Sequence, residues 1–195
     1  NWHNDKRDYL RGFGYQGSAG RQGWQKDIAE LGIGATLKAG MTEPGHWGIG
    51  MSAFGEMLPY HENRVYLNHK VKDKWGLPVL AMDVEIKANE LAMRKDMQQD
   101  AMEMFEAAGL KNVRGYDSDY APGMGIHEMG TARMGRDPKT SVLNKHNQVW
   151  DALNVFVTDG ACMTSASCVN PSLTYMALTA RAADYAVAEL KRGNL

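Results

Sequence analysis

Leu153-Asn154-Val155-Phe156-Val157-Thr158-Asp159-Gly160 and, after a short loop, Asn170-Pro171-Ser172-Leu173-Thr174-Tyr175-Met176-Ala177-Leu178 carry the reading of this chain. The first run is rich in β-branched residues and stops at Asp-Gly, which predicts a short buried strand with a turn at its end. Asparagine followed by proline predicts the start of a helix, with Asn170 at the cap and Pro171 at the first helical position. That helix is expected to run through Tyr175, Leu178, Ala182, Tyr185 and Val187 to about Lys191, with Arg192-Gly193 as its end. Its many alanines suit close packing on a sheet. A strand end followed by a helix N-terminus is where open α/β folds bind ligands. The first N–H groups of a helix lack intrahelical partners and carry partial positive charge, which favours an anion. On pattern alone, capping its own helix is the plainer role for Asn170.

Upstream the pattern changes. Leu80, Met82, Val84 and Ile86 alternate with Ala81, Asp83, Glu85 and Lys87, predicting a strand with one face buried and one wet. Trp47 to Phe54 alternates with glycines, and Arg64 to Asn68 is a further short strand, with a turn at Asp73-Lys74-Trp75-Gly76. Together these predict an antiparallel sheet. A helix is expected over about 89–108, with Met93, Met97, Ala101, Met104 and Phe105 on one face and Gly109 as its stop. These methionines read as core filling. Residues 112–126 read as a loop. Gly12, Gly14 and Gly17 match the spacing of a dinucleotide fingerprint. However, the preceding segment is too polar for the required strand and the following one too glycine-rich for the helix, so a chance match in a loop is expected.

Composition excludes several classes. The chain has 195 residues, 44% hydrophobic and 23% charged, with a net charge of -1. It can bury a core, and it lacks the basic excess that marks nucleic-acid binding or attachment to an anionic membrane. No apolar run approaches the roughly 18 residues of a membrane span. Cys162 and Cys168 lack metal or redox spacing and are expected to be two buried thiols rather than a disulfide. The six histidines show no metal-ligand spacing, and no metal is expected. The opening Asn1-Trp2-His3-Asn4-Asp5 reads like the middle of a longer protein, so a fragment or processed chain is expected.

His127 sits in a glycine-flanked loop, where catalytic groups concentrate, and histidine is the usual base near neutral pH. A lone histidine is nonetheless more often bland than catalytic. Its neighbourhood changes that weighting. His127-Glu128-Met129-Gly130-Thr131-Ala132-Arg133-Met134-Gly135 resembles the H-x-x-G-T-x-R-M-G motif of glucose-methanol-choline oxidoreductases. Val157-Thr158-Asp159-Gly160 is similar to that family's later strand end, and Asn170 to Leu178 to its N-P-[ST]-L-T-x-M-A-L segment. The three motifs stand in family order over about residues 120–190, nearest the pyranose-oxidase and sugar-dehydrogenase branch. Weaker likeness reaches back through Glu62-Asn63-Arg64-Val65 and Gly76-Leu77-Pro78-Val79.

The resemblance implies an α+β chain. Residues 1–126 would form an antiparallel-sheet substrate domain with helices. Residues 127–195 would bring the active-site loop and the last strand and helix of a Rossmann-like FAD-binding domain. It implies FAD as cofactor, a sugar or other alcohol as substrate, and the N-terminal FAD-binding part of the same protein as partner. The electron acceptor is left unspecified. His127 would be the base and Asn170 would orient the substrate oxygen. Asp159, Gly160, Asn170, Pro171 and Ser172 would line the flavin. Since the family's phosphate fingerprint is missing, the chain alone is expected not to hold FAD. Two rivals remain: a non-catalytic sugar-binding or interaction module, and a nicotinamide enzyme using Gly12, Gly14 and Gly17.

Overall fold

The computed structural model describes residues 6–22, 33–118 and 120–195, so residues 1–5 of the opening lie outside it. The chain is α+β, with three helices of eight or more residues and three separate two-stranded sheets among the described residues. It divides into two compact units, Gly14–Phe54 and Gly55–Leu195 together with Asn1–Phe13.

The smaller unit is built on strands β1 (Phe13–Arg21) and β2 (Trp47–Gly55), which pair with each other. Gln22 N–H donates to the His46 carbonyl at one end of the ladder and Glu56 N–H to the Gly12 carbonyl at the other. That opposed order is antiparallel. A Cβ at Gly17 would collide with the Gly50 carbonyl oxygen, so only glycine allows the strands to approach there. The glycine triplet therefore lies in and beside a strand, not in the expected loop, and β1 runs on to Arg21 where a dinucleotide fingerprint requires a helix. A short helix α1 (Ala35–Thr42), which the glycine-rich sequence did not signal, precedes β2.

In the larger unit, β3 (Arg64–Lys72) pairs antiparallel with β4 (Pro78–Asp83), with Val65 opposite Met82 and Leu67 opposite Leu80. The turn between them is locked by Asp73, whose carboxylate accepts from the N–H groups of Trp75 and Leu77 while Gly76 takes φ +82. The sequence reading placed the strand as far as Lys87, but the ladder ends at Asp83. The expected buried face is also open, with Leu80 and Met82 more than half exposed. Alternation selects a face; burial needs a second layer, and among the described residues Leu67 and Leu80 remain more than half exposed.

Helix α2 (Ala88–Ala107) matches the 3.6-residue periodicity. At its start Glu90 reaches back to the Lys87 N–H, and its carboxylate also accepts from the Leu58 N–H, the Tyr60 hydroxyl and the Asn89 amide. At its end Gly109 takes φ +80, with Gly109 N–H on the Glu106 carbonyl and Leu110 N–H on that of Phe105. These two bonds satisfy carbonyls the last turn leaves free. Met93 is fully buried and packs against Gly55, where no side chain would fit beside Met93 and Met97.

The final segment contains β5 (Gln148–Val149), β6 (Ala152–Phe156), a 3-10 turn (Gly160–Cys162) and helix α3 (Ser172–Arg192), which Gly193 ends at φ +76. β6 is not the buried strand the sequence predicts. Leu153 and Val155 are exposed, because the two-residue β5 is its sole strand partner among the described residues. Cys162 is buried, Cys168 is half-buried, and both are free thiols.

Candidate active site

Two stretches distant in sequence are clamped together. Gly130 N–H donates to the Gly160 carbonyl at 3.4 Å, Ala132 N–H to that of Ala161 at 3.0 Å, and Met134 N–H to that of Cys162 at 2.9 Å. Segment 130–134 thus lies along the turn that ends the β6 unit, bringing the His127 loop to the Asp159-Gly160 corner. Glycine is required on both sides of this clamp. Gly130 has φ +84, and a Cβ there would sit 3.3 Å from the Thr164 carbonyl oxygen. A Cβ on Gly160 would meet the Met129 sulfur and the Tyr175 hydroxyl, each at 2.9 Å. Tyr175, in the first turn of α3, donates its hydroxyl to the Met129 sulfur, and burial beside Asp159 and Cys162 pushes its pKa up. The histidine loop, strand end and helix start therefore meet at one place.

A buried polar group supports the clamp from below. Asn147 is fully buried. Its carbonyl accepts the Val157 N–H, its amide donates to the Val157 carbonyl, and its amide oxygen accepts from Arg181 of α3. Gln148 donates to the Leu153 carbonyl and accepts from the Asn144 amide. These bonds satisfy groups that would be costly to bury unpaired. They also fix β6 and α3 relative to the loop. In sequence, Asn144-Lys145-His146-Asn147-Gln148 reads only as a polar loop, so neither this network nor Tyr175 was legible there.

His127 is half-buried in an irregular segment, and Asn170 is exposed. Among the described residues no hydrogen bond joins the two side chains. The sequence places Asn170 at the helix cap. The structure starts α3 one residue later, with Pro171 at the cap position and no side-chain capping bond. Proline presets the backbone for a helix start, so a side-chain cap is dispensable. Pro171 is buried and Ser172 exposed. Asp159 turns its carboxylate onto the Ala161 N–H and caps the 3-10 turn.

The arrangement can do two things chemically. A half-buried imidazole offers a base, and the start of a 21-residue helix offers free N–H groups uncovered by any side chain. This donor set fits a cofactor that gathers negative charge.

The model of the GMC oxidoreductase family matches residues 59–179, more than half of the sequence. The chain belongs to this family of glucose-methanol-choline oxidoreductases. It is 42% identical over 134 residues to a 2-methyl-1,2-propanediol dehydrogenase of Mycolicibacterium austroafricanum, a match covering 68% of this chain and 24% of the relative. It is 30% identical to a gluconate 2-dehydrogenase flavoprotein of Pantoea cypripedii, over 75% of this chain and 25% of that protein. A pyranose 2-oxidase of Lyophyllum shimeji matches at 25% identity over 72% of this chain and 23% of its own length. The chain thus spans about a quarter of the length of the curated relatives it matches. No helix among the described residues is long and apolar enough to cross a membrane.

Proposed function

We propose that this chain carries the substrate side and the active-site pair of a flavin-dependent oxidation of a CH–OH group in a sugar, polyol or other alcohol. FAD, when bound, supplies the hydride acceptor at N5. The chain's own residues manage the proton and the oxygen. His127 takes the hydroxyl proton as general base, a role typically worth about 10²–10⁴ in rate. Asn170 hydrogen-bonds the same oxygen and orients the carbinol carbon. The backbone groups of Asp159, Gly160, Pro171 and Ser172 line the cofactor side, where the N–H groups opening α3 oppose negative charge. Residues 1–126 serve as substrate domain, and 127–195 as active-site loop and C-terminal segment of the FAD-binding domain. The N-terminal FAD-binding part of the same protein supplies the phosphate-binding site.

The clamp between 130–134 and Gly160–Cys162 carries this reading, because it brings the histidine loop to the corner that leads into an uncapped helix N-terminus. The names of the relatives, a diol dehydrogenase and a sugar oxidase among them, support alcohols and sugars as the substrate class.

The test uses the full-length protein. It is expected to purify with a flavin absorbance band that sugars, polyols or vicinal diols bleach anaerobically. His127→Ala is expected to slow that bleaching by about 10²-fold or more while flavin stays bound. A colourless full-length protein would sink the proposal, and near wild-type bleaching in the variant would remove His127 from it.

A further inference from the structure

Between the 3-10 turn and Asn170 the chain runs through Met163-Thr164-Ser165-Ala166-Ser167-Cys168-Val169. The side chains from Thr164 to Cys168 are small or hydroxylic and offer little apolar area for packing. Among the described residues, a single hydrogen bond runs from 164–170 to a distant part of the chain. The Ser165 hydroxyl donates to the Glu56 carboxylate at 2.5 Å. A hydroxyl on a carboxylate at this distance is a charge-assisted bond, stronger than a neutral one.

Glu56 is well placed to act as an anchor. On one side, Gly55 is pressed against the buried Met93 of α2. On the other, the Leu58 N–H is held by the Glu90 carboxylate at 3.1 Å. Glu56 itself donates its N–H to the Gly12 carbonyl. Its carboxylate is mostly covered, 18% exposed, and Arg11 lies 3.5 Å away on the open side. Arg11 adopts φ +73, a conformation uncommon outside glycine, asparagine and aspartate. The carboxylate is thus mounted on the core, and among the described residues it holds the one long-range hydrogen bond of the loop.

We propose that Glu56 is a positioning residue for the site: by accepting the Ser165 hydroxyl it fixes loop 163–170, and with it the placement of Asn170. This rests on the role proposed for Asn170 above. An error of about 1 Å in a group that orients substrate can cost on the order of 10²-fold in rate.

The experiment compares full-length wild type with Glu56→Ala, Ser165→Ala, their double variant and Glu56→Gln. Hydrogen–deuterium exchange of the 164–170 amides is read first, because it requires no turnover. Exchange is expected to quicken about tenfold in both alanine variants, to rise no further in the double variant, and to stay near wild type in Glu56→Gln, whose amide oxygen still accepts the bond. Anaerobic flavin reduction at saturating substrate is expected to follow the same pattern, with about tenfold losses that do not add and a conservative variant that recovers the rate. Unchanged exchange in Ser165→Ala overturns the anchor. Quickened exchange with wild-type reduction overturns its link to Asn170. A wild-type flavin that no alcohol reduces refutes the proposed function instead, and the exchange data then judge the anchor alone.

Discussion

Asn170 precedes a helix that begins without its help. Proline already presets the first turn, and the asparagine side chain makes no capping bond. A side chain excused from capping is free to face a substrate, which separates the two roles the residue type allows. Asn170→Asp in the full-length protein tests this. Aspartate caps as well as asparagine, so a capping role predicts little change. In the orienting role the substitution loses a donor and adds a negative charge where charge accumulates. Flavin reduction is expected to fall at least about tenfold, equivalent to 1.4 kcal/mol on the barrier. The melting temperature is expected to stay nearly unchanged. Equal reduction rates in stopped-flow would return Asn170 to a structural role.

Among the elements, α2 depends on one buried carboxylate. Burial raises the Glu90 pKa, but the bonds from Leu58, Asn89 and Tyr60 outweigh it, so the net shift is downward from the ordinary 4.5. The charged form is therefore favoured by folding. Its contribution is complete above about pH 4.5 and is lost as pH falls through the lower folded value. Glu90→Ala would leave the Tyr60 hydroxyl and the Leu58 and Lys87 N–H groups without this partner. The expected cost is about 2–3 kcal/mol near neutral pH, from hydrogen bonds to a charged group. Chemical denaturation at pH 7 and at pH 3 checks both statements: the variant should be weaker at pH 7, and the gap should shrink at pH 3. An equal gap at both pH values would show that the charge is not what stabilises the helix start.

At the scale of the whole molecule, the balance of surface is unusual. Among the described residues few apolar side chains are buried, Met93, Leu143, Cys162 and Ala182 with Pro171, while many large ones, such as Trp47, Leu80, Leu153 and Leu173, are exposed. Helix α3 shows why. Tyr175, Leu178, Ala182 and Tyr185 follow one helical stripe toward the chain. Leu173, Met176, Val187 and Leu190 follow a second, exposed stripe with alanines between them. An element apolar on two faces is built to lie between two layers. This fits the proposed docking of α3 and β6 against an FAD-binding part. Purified 1–195 is accordingly expected to bind FAD weakly or not at all. Stoichiometric tight binding in a fluorescence titration of 1–195 would show that no further phosphate-binding part is needed.

The sequence by itself determined the elements whose signals are local. These include α2 with its Gly109 stop, the turn at Asp73 to Gly76, the strand and helix on either side of Asp159-Gly160, and the motifs that placed His127 and Asn170 in one family. Periodicity, turn chemistry and motif spacing are properties of neighbours along the chain, and they survive whatever the rest of the protein does. Tertiary structure alone decided what depends on distant partners. It left Leu80, Met82 and Leu153 more than half exposed, because among the described residues no second layer buries them. It moved the cap of α3 from Asn170 to Pro171, and it joined Asn147 to Val157 and Arg181. It also set Glu56 against Ser165 across 109 residues. A carboxylate and a hydroxyl that far apart in sequence leave no periodic trace, because only the packing of Gly55 on α2 and the course of the loop bring them within bonding distance.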